Sequence, residues 1–106
     1  MTNNMTDTQI LTLICAVIGN HEKFKKACFM RGFDTYKERQ EFNKKYTIPR
    51  TEFTYNNHIY TVEYYVKAYN TGIYAKGYYT KDGNKTTLTA IKNIYKQLCA
   101  KGVIIL

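Results

Sequence analysis

The chain is poor in the residue types that most often carry chemistry or covalent cross-links. Its 106 residues include no tryptophan, three cysteines, two histidines and one proline. Cys15, Cys28 and Cys99 are odd in number and lie far apart in apolar helical patterns, which favours reduced, buried thiols over a disulfide framework. His21 and His58 fall on different predicted elements, and no cysteine or histidine pair has the spacing of metal ligands. We therefore expect no metal site.

Signatures of catalysis are missing as well. The six glycines are scattered as turn and cap residues, so no phosphate-cradling loop is present. The eight acidic residues lie mostly beside lysines and offer no obvious pair of general acid and base. The sequence therefore predicts a protein that is not an enzyme and that needs no cofactor.

Long hydrophobic runs are also absent. A membrane-spanning helix needs roughly 18 to 20 apolar residues, and the longest run here extends only from Leu13 to Ile18 within a helical pattern. The segment from Met1 to Gln9 is polar and lacks the basic start of a signal peptide. These absences predict a cytoplasmic protein without a membrane span.

What is present suggests one folded domain over residues 1–106. Hydrophobic residues make up 44% of the chain and aromatic residues 15%, which is the composition of a folded protein. Two separate domains would each be too small to bury an adequate core. We predict a helical part at 1–48, an antiparallel meander at 49–81 and a C-terminal helix at 84–101.

Helix signals dominate the first half of the chain and its C-terminal end. Predicted helices lie at 6–19, 20–32 and 35–46, with a last helix at about 86–100. The predicted N-caps are Thr6 in a capping box with Gln9, Asn20, and Asp34 or Thr35, with Glu38 completing a second box. The predicted stops are Gly19, Gly32 and Gly102. The predicted core positions are Ile10, Leu11, Ile14, Val17 and Ile18 in the first helix and Leu88, Ile91, Ile94, Tyr95 and Leu98 in the last.

Strand signals begin after Pro49, which favours an extended backbone before it. The predicted strands are 51–55, 58–69 and 73–80. Asn56 and Asn57 predict a hairpin turn, because asparagine tolerates the positive φ angles that such turns require. A second turn is predicted at 70–72, and residues 82–84 should end the sheet. The fold class is therefore α+β, with N-terminal helices and a C-terminal helix packed on a three-stranded antiparallel β-meander.

Tyrosine is concentrated in this predicted sheet. Eight of the eleven tyrosines lie between Phe53 and Tyr79. Side chains alternate across a strand, so one face should pack on the core, namely Tyr60, Val62, Tyr64, Val66, Ala68, Ile73, Ala75, Gly77 and Tyr79. The outward set, which we call the tyrosine face, is Tyr65, Lys67, Tyr69, Tyr74, Lys76 and Tyr78. A register slip of one residue would scatter it.

Positive charge is concentrated in the same half of the chain. The formal net charge is +8, and residues 61–106 carry seven basic and two acidic side chains, a net charge of +5. Such a field attracts nucleic acid, acidic proteins or anionic lipid. A second candidate surface is a lysine row on the last helix, formed by Lys85, Lys92 and Lys96 and preceded by Lys81. A solvated amphipathic helix face has the same pattern.

Two known architectures have a similar order of elements. The helix, three-strand and helix order from Asp34 to Ala100 resembles that of double-stranded-RNA-binding domains, which place lysines at the start of their last helix, where Lys81 and Lys85 lie here. Those domains carry a dense lysine and alanine run there, whereas residues 81–87 are KDGNKTT. A winged-helix protein also has three helices before a hairpin, but that arrangement would bury Glu38 and Glu41 without partners.

Two functions stay open. The first is a small basic nucleic-acid-binding accessory protein, because phenol rings can stack on bases while ammonium groups meet phosphates. The alternative is a protein-binding inhibitor or regulator that docks on an acidic or nucleic-acid-handling protein, since tyrosine is enriched in interfaces. Cross-strand tyrosine pairs that only stabilise the sheet are a structural interpretation of the same pattern. Self-association through an exposed sheet edge or face is compatible with each of these.

Overall fold

The computed structural model describes residues 5–25, 35–69 and 72–105. Within them the elements are α1 (Asp7–Phe24), α2 (Tyr36–Tyr46), β1 (Ile48–Tyr55), β2 (His58–Tyr69), β3 (Gly72–Lys81), β4 (Asn84–Lys85) and α3 (Leu88–Ala100). The strands form one antiparallel sheet in the order β1-β2-β3-β4. The predicted α+β class and meander are confirmed, although the sheet has four strands where three were predicted.

Two of the three predicted helix N-caps are present, Thr6 with a reciprocal capping box and Thr35. The Thr6 hydroxyl accepts the backbone N–H of Gln9 at 3.2 Å, and the Gln9 side chain accepts that of Thr6 at 2.9 Å. Thr35 caps α2 in a related way, because its hydroxyl accepts the Glu38 N–H at 3.1 Å and donates to the Glu38 carboxylate at 2.8 Å. These bonds satisfy N–H groups that have no partner within a helix. At the other end of the chain Gly102 has a φ of +84°, as predicted for a residue after a helix end.

The predicted stop at Gly19 and N-cap at Asn20 are wrong, because α1 continues through both residues to Phe24. Glycine inside a helix costs about 1 kcal/mol relative to alanine, and the packing at the end of α1 offsets this cost. The remainder of the second predicted helix, including Cys28 and Gly32, lies outside the described residues.

The C-terminal end of α1 is anchored by aromatic rings from three elements. The Phe24 ring contacts Phe42 and Tyr46 of α2 edge to face, with centroids at 5.8 and 5.4 Å, and lies roughly parallel to Tyr64 of β2 at 6.4 Å. The Asn20 side-chain amide donates to the backbone carbonyl of Tyr46 at 2.7 Å. These contacts bring α1, α2 and β2 together, which explains why the helix continues past Gly19.

The segment at the end of α2 covers a free edge of β2. The Asn43 side-chain oxygen accepts the backbone N–H of Ala68 at 2.6 Å. The Thr47 hydroxyl accepts the backbone N–H of Val66 at 3.3 Å and donates to its carbonyl at 3.1 Å. Because β1 begins at Ile48, opposite Tyr64, it does not reach Val66 and Ala68. The Asn43 and Thr47 side chains therefore take the place of a neighbouring strand and form hydrogen bonds with these two residues.

The two short hairpins are built on pairs of residues with positive φ. Asn56 and Asn57 have φ angles of 54° and 65°, as the sequence predicted. Asp82 and Gly83 have φ angles of 51° and 82° and form a second turn of this kind. The prediction that this segment only ends the sheet is therefore wrong, because the turn returns the chain as β4. The last helix consequently begins at Leu88, later than predicted.

Asp82 also fastens its turn to the neighbouring strand. Its carboxylate accepts the backbone N–H of Ile59 at 2.9 Å and lies 2.7 Å from the Nδ1 atom of His58. The hydrogen bond from Ile59, followed by the one with His58, lowers the pKa of Asp82 below its ordinary value.

The core lies on one side of the sheet. As predicted, the inner positions of β2 are all buried, at 7% exposure or less. They form one hydrophobic cluster with buried residues of α1 and α3, the helical members being Ile10, Leu11, Ile14, Val17, Phe24, Ile91, Ile94 and Leu98. The helices therefore cover the inner face, and the outer face is left without a described helix.

The cysteines do not all lie in this core. Both described cysteines are free thiols, with Cys15 half-buried and Cys99 exposed. The prediction of a buried thiol is therefore wrong for Cys99, because the buried stripe of α3 passes through Leu98 and leaves the next position facing outwards. Cys28 lies outside the described residues.

Candidate functional site

The register between β2 and β3 assembles the tyrosine face. Tyr65 lies opposite Lys76, and Lys67 lies opposite Tyr74. Directly opposed residues of an antiparallel pair point to the same side of the sheet. All six side chains of the face are exposed, and its tyrosines have 37% to 46% of their surface accessible. The structure therefore brings the predicted set together on the side of the sheet away from the core.

Rings and ammonium groups are interleaved on this face. Tyr65 and Tyr74 meet edge to face across the strands, with centroids at 5.9 Å and an interplanar angle of 64°. Each lysine lies near the ring of a tyrosine on its own strand, the Nζ-to-centroid distances being 5.6 Å for Lys67 with Tyr69 and 5.4 Å for Lys76 with Tyr78. Contacts of this type are attractive and place the charges beside the rings.

The hydroxyl of Tyr78 stays protonated at neutral pH, because its pKa is raised above its ordinary value. Loss of hydration at the crowded face is the largest cause, followed by the electrostatic interaction and hydrogen bond with Tyr74 and by the nearby carboxylate of Glu63, all of which raise the pKa of Tyr78. A neutral phenol presents an uncharged ring for stacking and an O–H that can donate to a phosphate or to a base. Both properties suit a recognition surface.

The two lysines predicted near the start of the last helix, Lys81 and Lys85, lie in strands and on different faces. The register places Lys85 of β4 opposite Thr80, so it joins the outer face and does not belong to the last helix as predicted. Lys81 is the last residue of β3 and is paired with Tyr60, an inner-face residue, whose ring centroid lies 5.9 Å from its Nζ. The lysines at the predicted start of the last helix are therefore divided by the alternation of the strands.

The other two predicted lysines, Lys92 and Lys96, lie on α3 in the helical layer. Their helix buries Ile91 and Ile94 against the inner face of the sheet, so both lysines lie across the sheet from the tyrosine face. The ten predicted site residues consequently do not form one surface. Six form the tyrosine face, Lys85 lies beyond them on the same side, and the other three lie elsewhere.

The outer face also holds a residue that the sequence analysis did not single out. The β1 register shifts between Ile48 and Thr51, so that two residues, Pro49 and Arg50, lie opposite Glu63 alone. This is a β-bulge, an irregularity that redirects side chains, and it turns Arg50 towards the outer face. The single proline inside a strand-like segment was the available signal, because proline in a sheet favours edges and bulges.

Arg50 lines a hollow of about 200 Å³ together with Thr61, Glu63, Tyr78 and Thr80. These residues come from β1, β2 and β3. The hollow adjoins the tyrosine face, because Tyr78 belongs to both. It presents a guanidinium group, a carboxylate, two threonine hydroxyls and a phenol within one small space.

No helix in the described part of the chain is both long and apolar enough to span a membrane. Among residues 5–25, 35–69 and 72–105, no group of three or more histidine, cysteine, aspartate or glutamate side chains is placed to hold a metal ion. No family model matches the chain, and no curated protein or solved structure does so either.

Proposed function

We propose that the protein binds single-stranded nucleic acid across the tyrosine face. The observation that carries the proposal is the presence of four exposed phenol rings and two lysines on a sheet face that no described helix covers. A base stacked on an aromatic side chain contributes about 1 to 3 kcal/mol, whatever its identity. The lysines beside the rings can neutralise phosphates, and this releases counterions.

A single strand fits this surface better than a duplex does. Stacking on a side chain requires a base that is not already stacked and paired in a helix. The tyrosine face belongs to one sheet, and its rings project from two neighbouring strands. Such a surface can receive splayed bases in succession, whereas reading a duplex requires an element that enters a groove.

Fluorescence anisotropy with labelled oligonucleotides tests the proposal. We expect mixed-sequence single strands to bind more tightly than the corresponding duplex, with an affinity that falls as the salt concentration rises. Replacing Tyr65, Tyr74 and Tyr78 together by alanine should weaken binding by at least about tenfold, because stacking partners are lost. Tyr36→Ala provides the matched control, since Tyr36 lies on α2 and is 70% exposed.

Circular dichroism and urea unfolding should show that the triple variant remains folded. A folded triple variant with the affinity of the unmodified protein would remove the tyrosine face from the interface. Affinity that does not change with salt would contradict the electrostatic part of the proposal.

Docking on a partner protein is the second candidate function, and one observation favours it. Glu52 and Glu63 lie on the same side of the sheet as the lysines, so the outer face carries both signs of charge, as protein-binding surfaces do. The partner would be an acidic or nucleic-acid-handling protein. This candidate gains support from two results together. Oligonucleotides fail to bind, and a partner protein that the unmodified protein captures in a pull-down is still captured by the Tyr36→Ala variant but not by the triple tyrosine variant.

A further inference from the structure

The hollow beside the tyrosine face has the size and the polar groups of a small recognition site. Its volume is about 200 Å³, below the roughly 300 to 1,000 Å³ of clefts that enclose drug-sized ligands. Glu63 lies directly opposite Tyr78 in the register. A nucleic-acid single strand that lies on the tyrosine face would therefore pass next to the hollow and could place one base in it.

The bulge in β1 brings two opposite charges to this hollow without joining them. The Thr51 hydroxyl donates to the carbonyl of Pro49 at 2.7 Å within the bulge. Among the described residues, neither the Arg50 guanidinium nor the Glu63 carboxylate makes a hydrogen bond or an ion pair. Both groups are available to a ligand, and the half-buried carboxylate would gain from a donor partner.

We propose that this hollow recognises guanine within the single strand, an inference that rests on the proposed function. Guanine is the base whose pairing edge has two adjacent donors, N1–H and the N2 amino group, next to the O6 acceptor. A carboxylate accepts both donors at once, and a guanidinium donates to O6. Glu63 and Arg50 supply these two groups from neighbouring strands, and the Tyr78 ring forms a wall of the site.

The other bases lack this complementarity. Adenine, cytosine, thymine and uracil each place an acceptor beside the donor on the pairing edge. One carboxylate oxygen of Glu63 would then face a lone pair of the base. The two acceptors repel each other, and neither of them receives a hydrogen bond. A well-formed bidentate contact discriminates against the wrong base by an amount that corresponds to about tenfold in affinity or more.

The test uses thymine oligonucleotides that carry one central guanine, adenine, cytosine or thymine. We expect the unmodified protein to bind the guanine oligonucleotide about tenfold more tightly than the other three. Glu63→Gln should abolish this preference, because the amide replaces one acceptor by a donor. Its affinity for the thymine oligonucleotide should be equal or higher, since a negative charge is removed beside the phosphates.

Glu52→Gln is the matched control, because Glu52 lies on the same outer face and does not line the hollow. It removes the same charge and should keep the guanine preference. Equal binding of all four oligonucleotides by the unmodified protein would overturn the guanine site and leave the proposed function standing. Loss of the preference in both glutamine variants would assign it to charge and overturn the site as well. Failure of every oligonucleotide to bind would reject the proposed function and this inference together.

Discussion

Two variants of equal charge distinguish the contribution of the tyrosine face to nucleic-acid binding from that of the α3 lysines. One replaces Lys67 and Lys76 by glutamine, and the other replaces Lys92 and Lys96. Each lowers the formal net charge of +8 by two, so a general electrostatic attraction weakens equally in both. Lys67 and Lys76 lie among the exposed rings, whereas the other pair lies on α3 in the helical layer.

The expected magnitude follows from counterion release. For single strands the logarithm of the binding constant falls with the logarithm of salt concentration by a slope of about 0.7 per neutralised phosphate. If Lys67 and Lys76 each contact one phosphate, their replacement should make the slope shallower by about 1.4. The lysine pair on α3 contacts no phosphate in this arrangement, so its replacement should leave the slope nearly unchanged and lower the affinity only slightly.

The assay is a salt series of anisotropy titrations with one labelled single strand and the three proteins. Equal slopes for the two variants would show that binding responds to overall charge and not to the tyrosine face. A shallower slope only in the Lys92 and Lys96 variant would move the interface to α3. Unfolding curves for all three proteins check that the changes in affinity do not arise from loss of folding.

Three further predictions concern the fold that presents the site, and urea unfolding measures each of them. A methyl group at Gly77 would lie 2.5 Å from the Cζ atom of Tyr79, so Gly77→Ala should destabilise the protein by about 1 to 3 kcal/mol and should cost little in a Tyr79→Ala background. Asn43→Ala removes the acceptor of the Ala68 N–H and should cost about 1 to 3 kcal/mol. The pKa of Asp82 is lowered, first by a backbone hydrogen bond from β2. The ionised carboxylate therefore stabilises the fold at any pH above 3.8, the ordinary pKa of an aspartate. This contribution is lost as the pH falls through the lowered pKa. Asp82→Asn, which keeps the turn, should therefore be less stable at neutral pH, and the difference should shrink in acid.

Local patterns were sufficient to predict much of the fold and the six-residue face. Capping at Thr6 and Thr35 depends on side chains three residues apart. The turn at Asn56 and Asn57 depends on the φ angles that asparagine tolerates. The tyrosine face depends on strand alternation and on correct strand limits, and both were predicted.

The errors arose where distant contacts override a local preference. Gly19 and Asn20 favour a helix end. The ring of Phe24, however, packs against aromatic residues of α2 and β2, and these contacts stabilise the continuation of α1 beyond them. Lys85 was predicted to belong to the last helix, with Lys81 just before it, but the Asp82 and Gly83 turn puts both lysines in paired strands, where alternation divides them between the two faces.

The amino-acid sequence by itself determined which side chains alternate, where helices and turns begin, and that rings and positive charge occupy one stretch of the chain. These properties depend on neighbours within a few residues. Only the tertiary structure decided that Arg50 meets Glu63 and Tyr78 in one hollow, because this meeting depends on a bulge and on the register of three strands. It also decided that the lysines of α3 lie across the sheet from the tyrosine face, since a helix packs through its apolar stripe and carries its charges to the opposite side.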